Sequence, residues 1–350
     1  MTEAGPAPAR VLAAGSAWGR VNLLGEHTDY NDGYVLPTVV PLCTIVELAA
    51  SPDGRYHARS ATLSEQAVFD GPDAKTSGFA RYLAGCLRAL AERGIAVPPV
   101  SIAIRSSVPI GSGLSSSAAL EVAFLRAVRG LLGLAIDELE IARIAHRAES
   151  EHVGVHVGIM DQMASSLGAP GRMLFIDTRS LHFEQLPLPR NCAVLVVDSN
   201  HPRNLSDTPY NLRREECRIA ARMLGVPALR DVRRIASVSA LPAPYSKRAR
   251  HVVQENHRVL EARTAEAARF GLLMNASHAS LRDDFEVSIP ALDALVQAMQ
   301  RQPGVHGARL TGAGFGGACV ALVDSTELAT ARAGTLADYA AAGYRGTAIT

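Results

Sequence analysis

Gly19-Arg20-Val21-Asn22-Leu23-Leu24-Gly25-Glu26-His27-Thr28-Asp29-Tyr30-Asn31-Asp32-Gly33 is the stretch on which the reading of this chain turns. It crowds an Arg, a Glu, a His and two Asp into a run with little aliphatic content. A hydrophobic core cannot take up that many charges without specific partners. Val21, Leu23 and Leu24 lie inside the run and Tyr34-Val35-Leu36 follows it, so the polar groups are held against packed structure. Groups that grip a small polar ligand are held in that way. A solvated charged loop is the plainer reading of this stretch alone. Two glycine-rich motifs further along weigh against it.

The first of these follows Val100–Val108, where Ile102 and Ile104 alternate with polar neighbours as in a half-buried strand. The strand runs into Pro109-Ile110-Gly111-Ser112-Gly113-Leu114-Ser115-Ser116-Ser117, and a helix is predicted from about Ala118 to Arg129. Gly111-x-Gly113 lacks the third glycine of the dinucleotide fingerprint and does not follow a first strand. No Gly-Lys-Ser/Thr follows either, which excludes a P-loop. A loop between strand and helix still offers successive amides and a helix N-terminus to a phosphate. Its glycines permit close backbone approach, and its serines supply hydroxyls for phosphate or Mg²⁺. A helix cap alone needs one serine, whereas this loop carries Ser112, Ser115, Ser116 and Ser117.

The second motif, Thr311-Gly312-Ala313-Gly314-Phe315-Gly316-Gly317, has four glycines in seven positions. It is either a strained turn or a backbone surface for the same ligand. With the polar block, the two loops predict a nucleotide and a polar co-substrate in a cleft between domains. Asp161, in Gly158-Ile159-Met160-Asp161-Gln162-Met163, stands among apolar neighbours at a helix start, either as an N-cap or as a carboxylate of that cleft. Glu149, in Arg147-Ala148-Glu149-Ser150-Glu151-His152, reads by itself as a solvated helix residue. The pairs His152/His156 and His251/His257 have no acidic companion motif for zinc.

The 350 residues are 48% hydrophobic, enough for two ordinary domains, and the net charge of +1 gives no pull toward nucleic acid. Short basic clusters at Arg213-Arg214 and Lys247-Arg248 read as solvated helix faces. No apolar run suits a membrane span and the N-terminus has no signal core, so a soluble, cytoplasmic protein is expected. The five scattered cysteines form neither a disulfide framework nor a close zinc pair. Any metal is therefore expected to be a hard cation held by oxygens.

Strands and helices alternate without a repeating unit, which favours layered α+β domains. Strands are expected at Thr38–Val40, Cys43–Leu48, within Met173–Phe183, at Cys192–Asp198 and at Cys319–Val323, with a closing strand in Gly346–Thr350. Helices are expected at Phe79–Arg93, Asp137–Glu151, near Ile159, and over Leu205–Leu224, His251–Arg269 and Glu327–Ala340. Pro187-Leu188-Pro189 is the best boundary, giving domains 1–187 and 190–350.

Taken together, Gly19–Asp29, Pro109–Ala119 and Gly307–Gly317 resemble the three motifs of the galactokinases, a branch of the GHMP (galactokinase, homoserine kinase, mevalonate kinase, phosphomevalonate kinase) superfamily. Gly158–Gln162 and Asp198-Ser199-Asn200-His201 extend the likeness. The resemblance implies a two-domain α+β fold, with an N-terminal ribosomal-protein-S5-domain-2-like domain and a C-terminal ferredoxin-like one. It implies transfer of phosphate from ATP to the anomeric hydroxyl of galactose, with Mg²⁺. By the same resemblance Arg20 and Asp161 are catalytic, and Glu26, His27, Asp29, Gly158 and Tyr210 contact the sugar. Gly111, Ser112, Gly113, Leu114, Ser115, Ser116 and Ser117 form the ATP loop. Ser117 and Glu149 reach Mg²⁺, with Ser116 a rival to Ser117 by register. Arg20 would keep Asp161 ionised and steady charge on the phosphoryl group. Trp18 stands where the family usually has Pro, and Asp32 where a small residue is common, so Asp32 could widen the choice of sugar. A kinase for arabinose or N-acetylgalactosamine, and a non-catalytic sugar sensor, are the alternatives. The protein is expected as a monomer or weak homodimer, with galactose and ATP as its partners and no nucleic acid or membrane.

Overall fold

The structure, a computed structural model, describes residues 10–155, 157–202 and 209–350. Its elements in chain order begin with β1 (Val11–Asn22), β2 (Tyr34–Val35), β3 (Pro37–Ala50), β4 (Tyr56–Ser60), β5 (Glu65–Phe69), α1 (Ala80–Ala91), β6 (Val100–Ser106), α2 (Ser116–Leu132), α3 (Glu138–Arg147) and α4 (Met160–Leu167). There follow β7 (Arg172–Asp177), β8 (Phe183–Pro187), β9 (Cys192–Asp198), α5 (Pro209–Met223), α6 (Ile235–Val238), α7 (Tyr245–Ala262), α8 (Ala267–Asp283), α9 (Pro290–Gln300), β10 (Val305–Leu310), β11 (Ala318–Asp324), α10 (Leu328–Ala341) and β12 (Thr347–Ala348). The chain forms two compact units. Among the described residues, one comprises those within Met1–Gly19, Leu42–Pro109 and Ser115–Leu167, and the other those within Arg20–Pro41, Ile110–Leu114 and Gly168–Thr350.

In the first unit β6 is central. It runs antiparallel to β3, with Val46 opposite Ile104, and parallel to β4, with Ala58 opposite Ile102. β5 closes the edge, antiparallel to β4. Period-two alternation sends Val46, Leu48, Ile102 and Ile104 to one face, where they meet Leu83, Leu87 and Leu90 of α1 and Phe124 and Val128 of α2. Phe124 is fully buried, so its loss to Ala would cost about 3–5 kcal/mol. The helix expected over Asp137–Glu151 ends earlier as an α-helix. α3, capped by Asp137 accepting from Glu140 N at 2.8 Å, gives way at Ala148–Val153 to a π-helical turn. Such turns occur often at functional sites.

The second unit is built on a four-stranded antiparallel sheet in the order β10-β11-β9-β12. In this sheet Val197 of β9 lies opposite Cys319 of β11. Strands and helices follow one another here as β-α-β-β-α-β, with several helices in the first crossover, which is the ferredoxin-like arrangement. Leu195, Val197, Cys319, Ala321 and Val323 pack against Phe285, Leu292, Leu295 and Met299. β7 pairs with β8 and β2 in a smaller antiparallel ladder.

Some boundaries differ from those expected. The single helix over His251–Arg269 is two helices, because α7 stops at Ala262 and Glu266, in extended backbone, opens α8. Within α8, Gly271 lies so close to β10 that a Cβ would sit 2.0 Å from the His306 carbonyl oxygen. Met173–Phe183 is broken by a turn between β7 and β8. Of the helix expected from Leu205, residues 205–208 lie outside the described residues.

Candidate active site

The polar block belongs to the second unit, where it leaves β1 and folds as a chain of tight turns with His27 at φ 63° and Asp32 at φ 56°. Two of its carboxylates, Glu26 and Asp32, have partners of opposite sign. Glu26, 2% exposed, accepts hydrogen bonds from the amide of Gly312 and, at 3.1 Å, from the Thr311 hydroxyl. The fully buried Arg309 lies 3.5 Å from Glu26 and 4.0 Å from Glu255. Glu255 in turn accepts from Arg258 at 2.6 Å, from Gly25 N at 2.8 Å and from Ser277 at 2.7 Å. Two carboxylates and two guanidiniums thus share one buried cluster. Burial by itself would push the Glu255 carboxyl up, but the neighbouring Arg258 and Arg309 hold it down to about 2.

The rest of the block turns toward aromatic rings. His27 Nδ1 meets the Tyr30 hydroxyl at 2.8 Å. Its ring centroid lies 4.5 Å from that of Phe285 and 5.7 Å from that of Tyr210 on α5. Asp29 accepts from Tyr30 N at 3.0 Å. The sugar-contact candidates Glu26, His27, Asp29 and Tyr210 therefore lie in one unit, and His27 and Tyr210 lie side by side. His251 fixes the block from beneath: its Nε2 donates to the Glu26 carbonyl at 3.1 Å, and its ring lies 4.6 Å from Phe285. Asp32 behaves differently from the expectation that it could reach the sugar. Its carboxylate accepts from Arg179 Nε at 3.1 Å, and Arg179 also grips Asp231 at 2.7 Å. Asp32 is thus committed to a partly exposed ion-pair cluster.

Arg20, 3% exposed, reaches the glycine-serine loop of its own unit. Its Nη1 donates to the Gly113 carbonyl at 2.6 Å, and its amide donates to the Leu114 carbonyl at 3.1 Å. No side chain packing demands glycine at Gly111, where φ is 79° and a Cβ would meet nothing within 4 Å. The later glycine loop is different. A Cβ at Gly316 would lie 2.4 Å from the His201 carbonyl oxygen, so this glycine serves close approach of one backbone to another. The turn reading therefore holds for that position, while Gly312 serves Glu26.

In the first unit Ser115 occupies the N-cap position of α2 in left-handed backbone, φ 59°, and makes no side-chain cap. Its hydroxyl instead donates to Asp161 Oδ2 at 2.5 Å. Asp161 lies within the first turn of α4, inside the helix rather than at an N-cap. Ser116 and Ser117 open α2, both half-buried, and Gly158 is buried just before α4. Glu149 is not the solvated residue its helix suggests. It is 5% exposed on the π-helical turn, and Gln162 Nε2 donates to it at 2.5 Å. Gln162 also reaches Glu121 at 3.4 Å. Burial, and then the charge of Glu149, push the Glu121 carboxyl well above the usual range. Sequence reasoning passed over Glu121 and Glu255, took Gln162 and Arg309 only as members of motifs, and weighed His251 only as a zinc ligand. A charged residue flanked by apolar ones, as Glu121 is by Leu120 and Val122, was the available signal. Trp18, in β1, is half-buried and not a core residue.

Comparison with known proteins agrees with this geometry. The GHMP kinases N terminal domain matches residues 81–169, and the GHMP kinases C terminal domain matches 262–339. A galactokinase galactose-binding signature matches residues 6–50. With a mevalonate kinase structure the likeness is one of fold, at TM-score 0.71 and 19% identity. These matches and the two-domain α+β architecture define a GHMP kinase. A galactokinase of Roseiflexus sp. is 44% identical over 328 residues, covering 90% of this chain and 84% of that protein. One of Actinobacillus succinogenes is 41% identical over 333 residues, covering 90% and 86%. The crystal structure of Lactococcus lactis galactokinase complexed with galactose superposes at TM-score 0.89 with 32% identity, covering 96% of this chain and 92% of that one. The chain belongs to the galactokinase family.

Proposed function

We infer that the protein phosphorylates galactose with ATP, giving galactose 1-phosphate and ADP. The observation that carries this reading is the galactose-binding signature, which folds here into a cluster whose charges are individually partnered and whose rings face one another. Such a cluster holds donors and acceptors at fixed positions, as recognition of a polyol requires. Glu26, His27, Asp29, Gly158 and Tyr210 are proposed to contact the sugar. A sugar hydroxyl is a poor nucleophile until its proton leaves, and Asp161 is proposed to accept that proton. Ser115, donating to Asp161, sets the direction of the carboxylate. Arg20 is proposed to stabilise charge on the transferring phosphoryl group, its fork steadied by the Gly113 carbonyl. The loop from Gly111 to Ser117 is proposed to hold the ATP phosphates through its amides and hydroxyls.

The donor set of the first unit fits Mg²⁺. Ser117 offers a hydroxyl and Glu149 a carboxylate, both hard oxygens. Glu149 is buried, and Gln162 fixes its orientation. When Mg²⁺ is bound, charge on the ATP phosphates is offset by it.

The family's two domains are proposed to divide at 187–190. The two compact units interleave along the chain across that point, with 20–41, 110–114 and 168–187 joining the C-terminal residues. No helix among the described residues is long and apolar enough to cross a membrane, and all five cysteines are free thiols. Free thiols suit the reducing cytoplasm, where we place the activity.

A steady-state assay of the full chain with ATP, Mg²⁺ and a sugar panel tests the reading. Galactose is expected to exceed glucose by at least about tenfold in kcat/KM, because inverting one hydroxyl strands a buried partner at about 1–3 kcal/mol. Equal specificity constants would overturn the assigned sugar contacts. No transfer to any sugar would favour the non-catalytic sensor.

A further inference from the structure

At one end of the four-stranded sheet, three neighbouring strands each present a metal-ligating side chain. Cys192 opens β9, and Asp324 closes β11 directly opposite it in the ladder. His306 lies on β10, where the pairing with β11 shifts between Val305 and Gly307. A bulge of this kind re-aims a side chain, and here the imidazole Nε2 lies 2.8 Å from Asp324 Oδ1. Ligand atoms of Cys192, His306 and Asp324 all lie within 4.8 Å of one another.

We propose that Cys192, His306 and Asp324 bind a divalent cation of the zinc class. A thiolate, an imidazole and a carboxylate together suit Zn²⁺ or Co²⁺ and not the oxygen-seeking Mg²⁺ or Ca²⁺. Ligands about 2.0–2.3 Å from a tetrahedral ion stand roughly 3–4 Å apart, so these side chains need only small rotations. Three protein ligands leave the fourth position to water. The His306 side chain is 22% exposed and that of Asp324 44%, which leaves the ion a way in. The backbone beneath is tied down: Asp324 N donates to the Gly304 carbonyl at 2.9 Å, and Ser325 N to the Asn191 carbonyl at 2.7 Å.

The same three residues could instead be read as a nucleophilic thiol with a His and an Asp behind it. Burial, and then the Asp324 charge, raise the Cys192 thiol above its ordinary range, opposite to what a reactive thiolate needs. A cation reverses that balance. As the sulfur–metal bond forms, the thiol proton leaves to solvent, and the proton that His306 Nε2 donates to Asp324 leaves to solvent or moves to Nδ1, which frees the Nε2 lone pair for the ion. β11 begins beside the Thr311–Gly317 loop and ends at Asp324, about 20 Å along the strand. The site therefore clips three strands at the end remote from that loop and acts on stability, not on phosphoryl transfer.

The test is titration of the full chain with Co²⁺ and Zn²⁺. Co²⁺ is expected to give a thiolate-to-cobalt charge-transfer band at one ion per chain. Cys192→Ala should abolish the band, and His306→Ala should weaken binding roughly tenfold or more. Zn²⁺ should raise the Tm of the unaltered protein and leave that of Cys192→Ala unmoved, while galactose phosphorylation by both variants stays unchanged. Absence of the band, its survival in Cys192→Ala, or a Tm indifferent to Zn²⁺ would each overturn the site.

Discussion

The hydrogen bond from Ser115 to Asp161 bears directly on the role proposed for that carboxylate. A serine at the start of a helix would ordinarily cap it, yet the Ser115 hydroxyl goes to Asp161. Asp161→Asn is expected to lower turnover by roughly 10²-fold or more while calorimetry shows galactose binding intact. Near-normal turnover would sink the role given to Asp161. Ser115→Ala should cost less than Asp161→Asn and act chiefly on kcat, because the carboxylate remains but loses its direction. For Glu149→Gln, the Mg²⁺ concentration giving half-maximal activity should rise, and an unchanged Mg²⁺ titration would reject Glu149 as a ligand. Asp161 was legible in the sequence because a carboxylate among Ile159, Met160 and Met163 is out of place. Glu149 was legible only through family likeness. Its neighbours Arg147 and Glu151 look solvated, and nothing in one sequence reveals the π-helical turn that buries it.

At the scale of elements, α7 is the support for the polar block. It delivers His251, Glu255 and Arg258 to the block's inner side, about one turn apart. Burial holds His251 down to about 4 from its ordinary 6.5. Between those values the unfolded chain binds a proton that the folded chain does not, so stability rises with pH across this window and falls on acidification through it. A shift of that size amounts to about 3 kcal/mol. Glu255, held at about 2 against an ordinary 4.5, extends the loss from about pH 4.5 down to 2. Urea unfolding at a series of pH values should show both slopes, and His251→Gln should flatten the one above pH 4. A slope unchanged in that variant would assign the acid loss elsewhere. Arg309→Met leaves Glu26 and Glu255 without their shared cation and is expected to cost about 3–5 kcal/mol in the same experiment. The strand and helix periods exposed most elements, but not the break between α7 and α8, since Arg263-Thr264-Ala265-Glu266 contains neither Gly nor Pro.

Over the whole molecule, the motifs announced the family, but chain order hid how they assemble. Glu26 and Gly312 are 286 residues apart and share a hydrogen bond, a pairing that composition and periodicity do not encode. For the same reason a boundary drawn at Pro187 follows the chain, while compactness gathers 20–41 with the C-terminal residues. Of the large exposed apolar side chains, Val11 and Leu12 are neighbours on β1, while Ile110 lies in the loop before α2, Leu212 on α5 and Leu272 on α8. Exposed apolar residues in such small numbers are ordinary on monomers. Sedimentation at micromolar concentration is expected to give the mass of one chain, and a dimer stable on dilution would contradict this.

The diverted hydroxyl of Ser115 also bears on how the protein breathes. In any α-helix the first-turn amides lack intrahelical acceptors, and here the residue placed to satisfy one of them points elsewhere. The opening turn of α2 thus lacks the side-chain acceptor a cap would give, and a bound anion would supply it. Deuterium uptake at 116–118 should therefore slow sharply when ATP is added, and the middle of the same helix, already closed by its own ladder, should scarcely register the nucleotide.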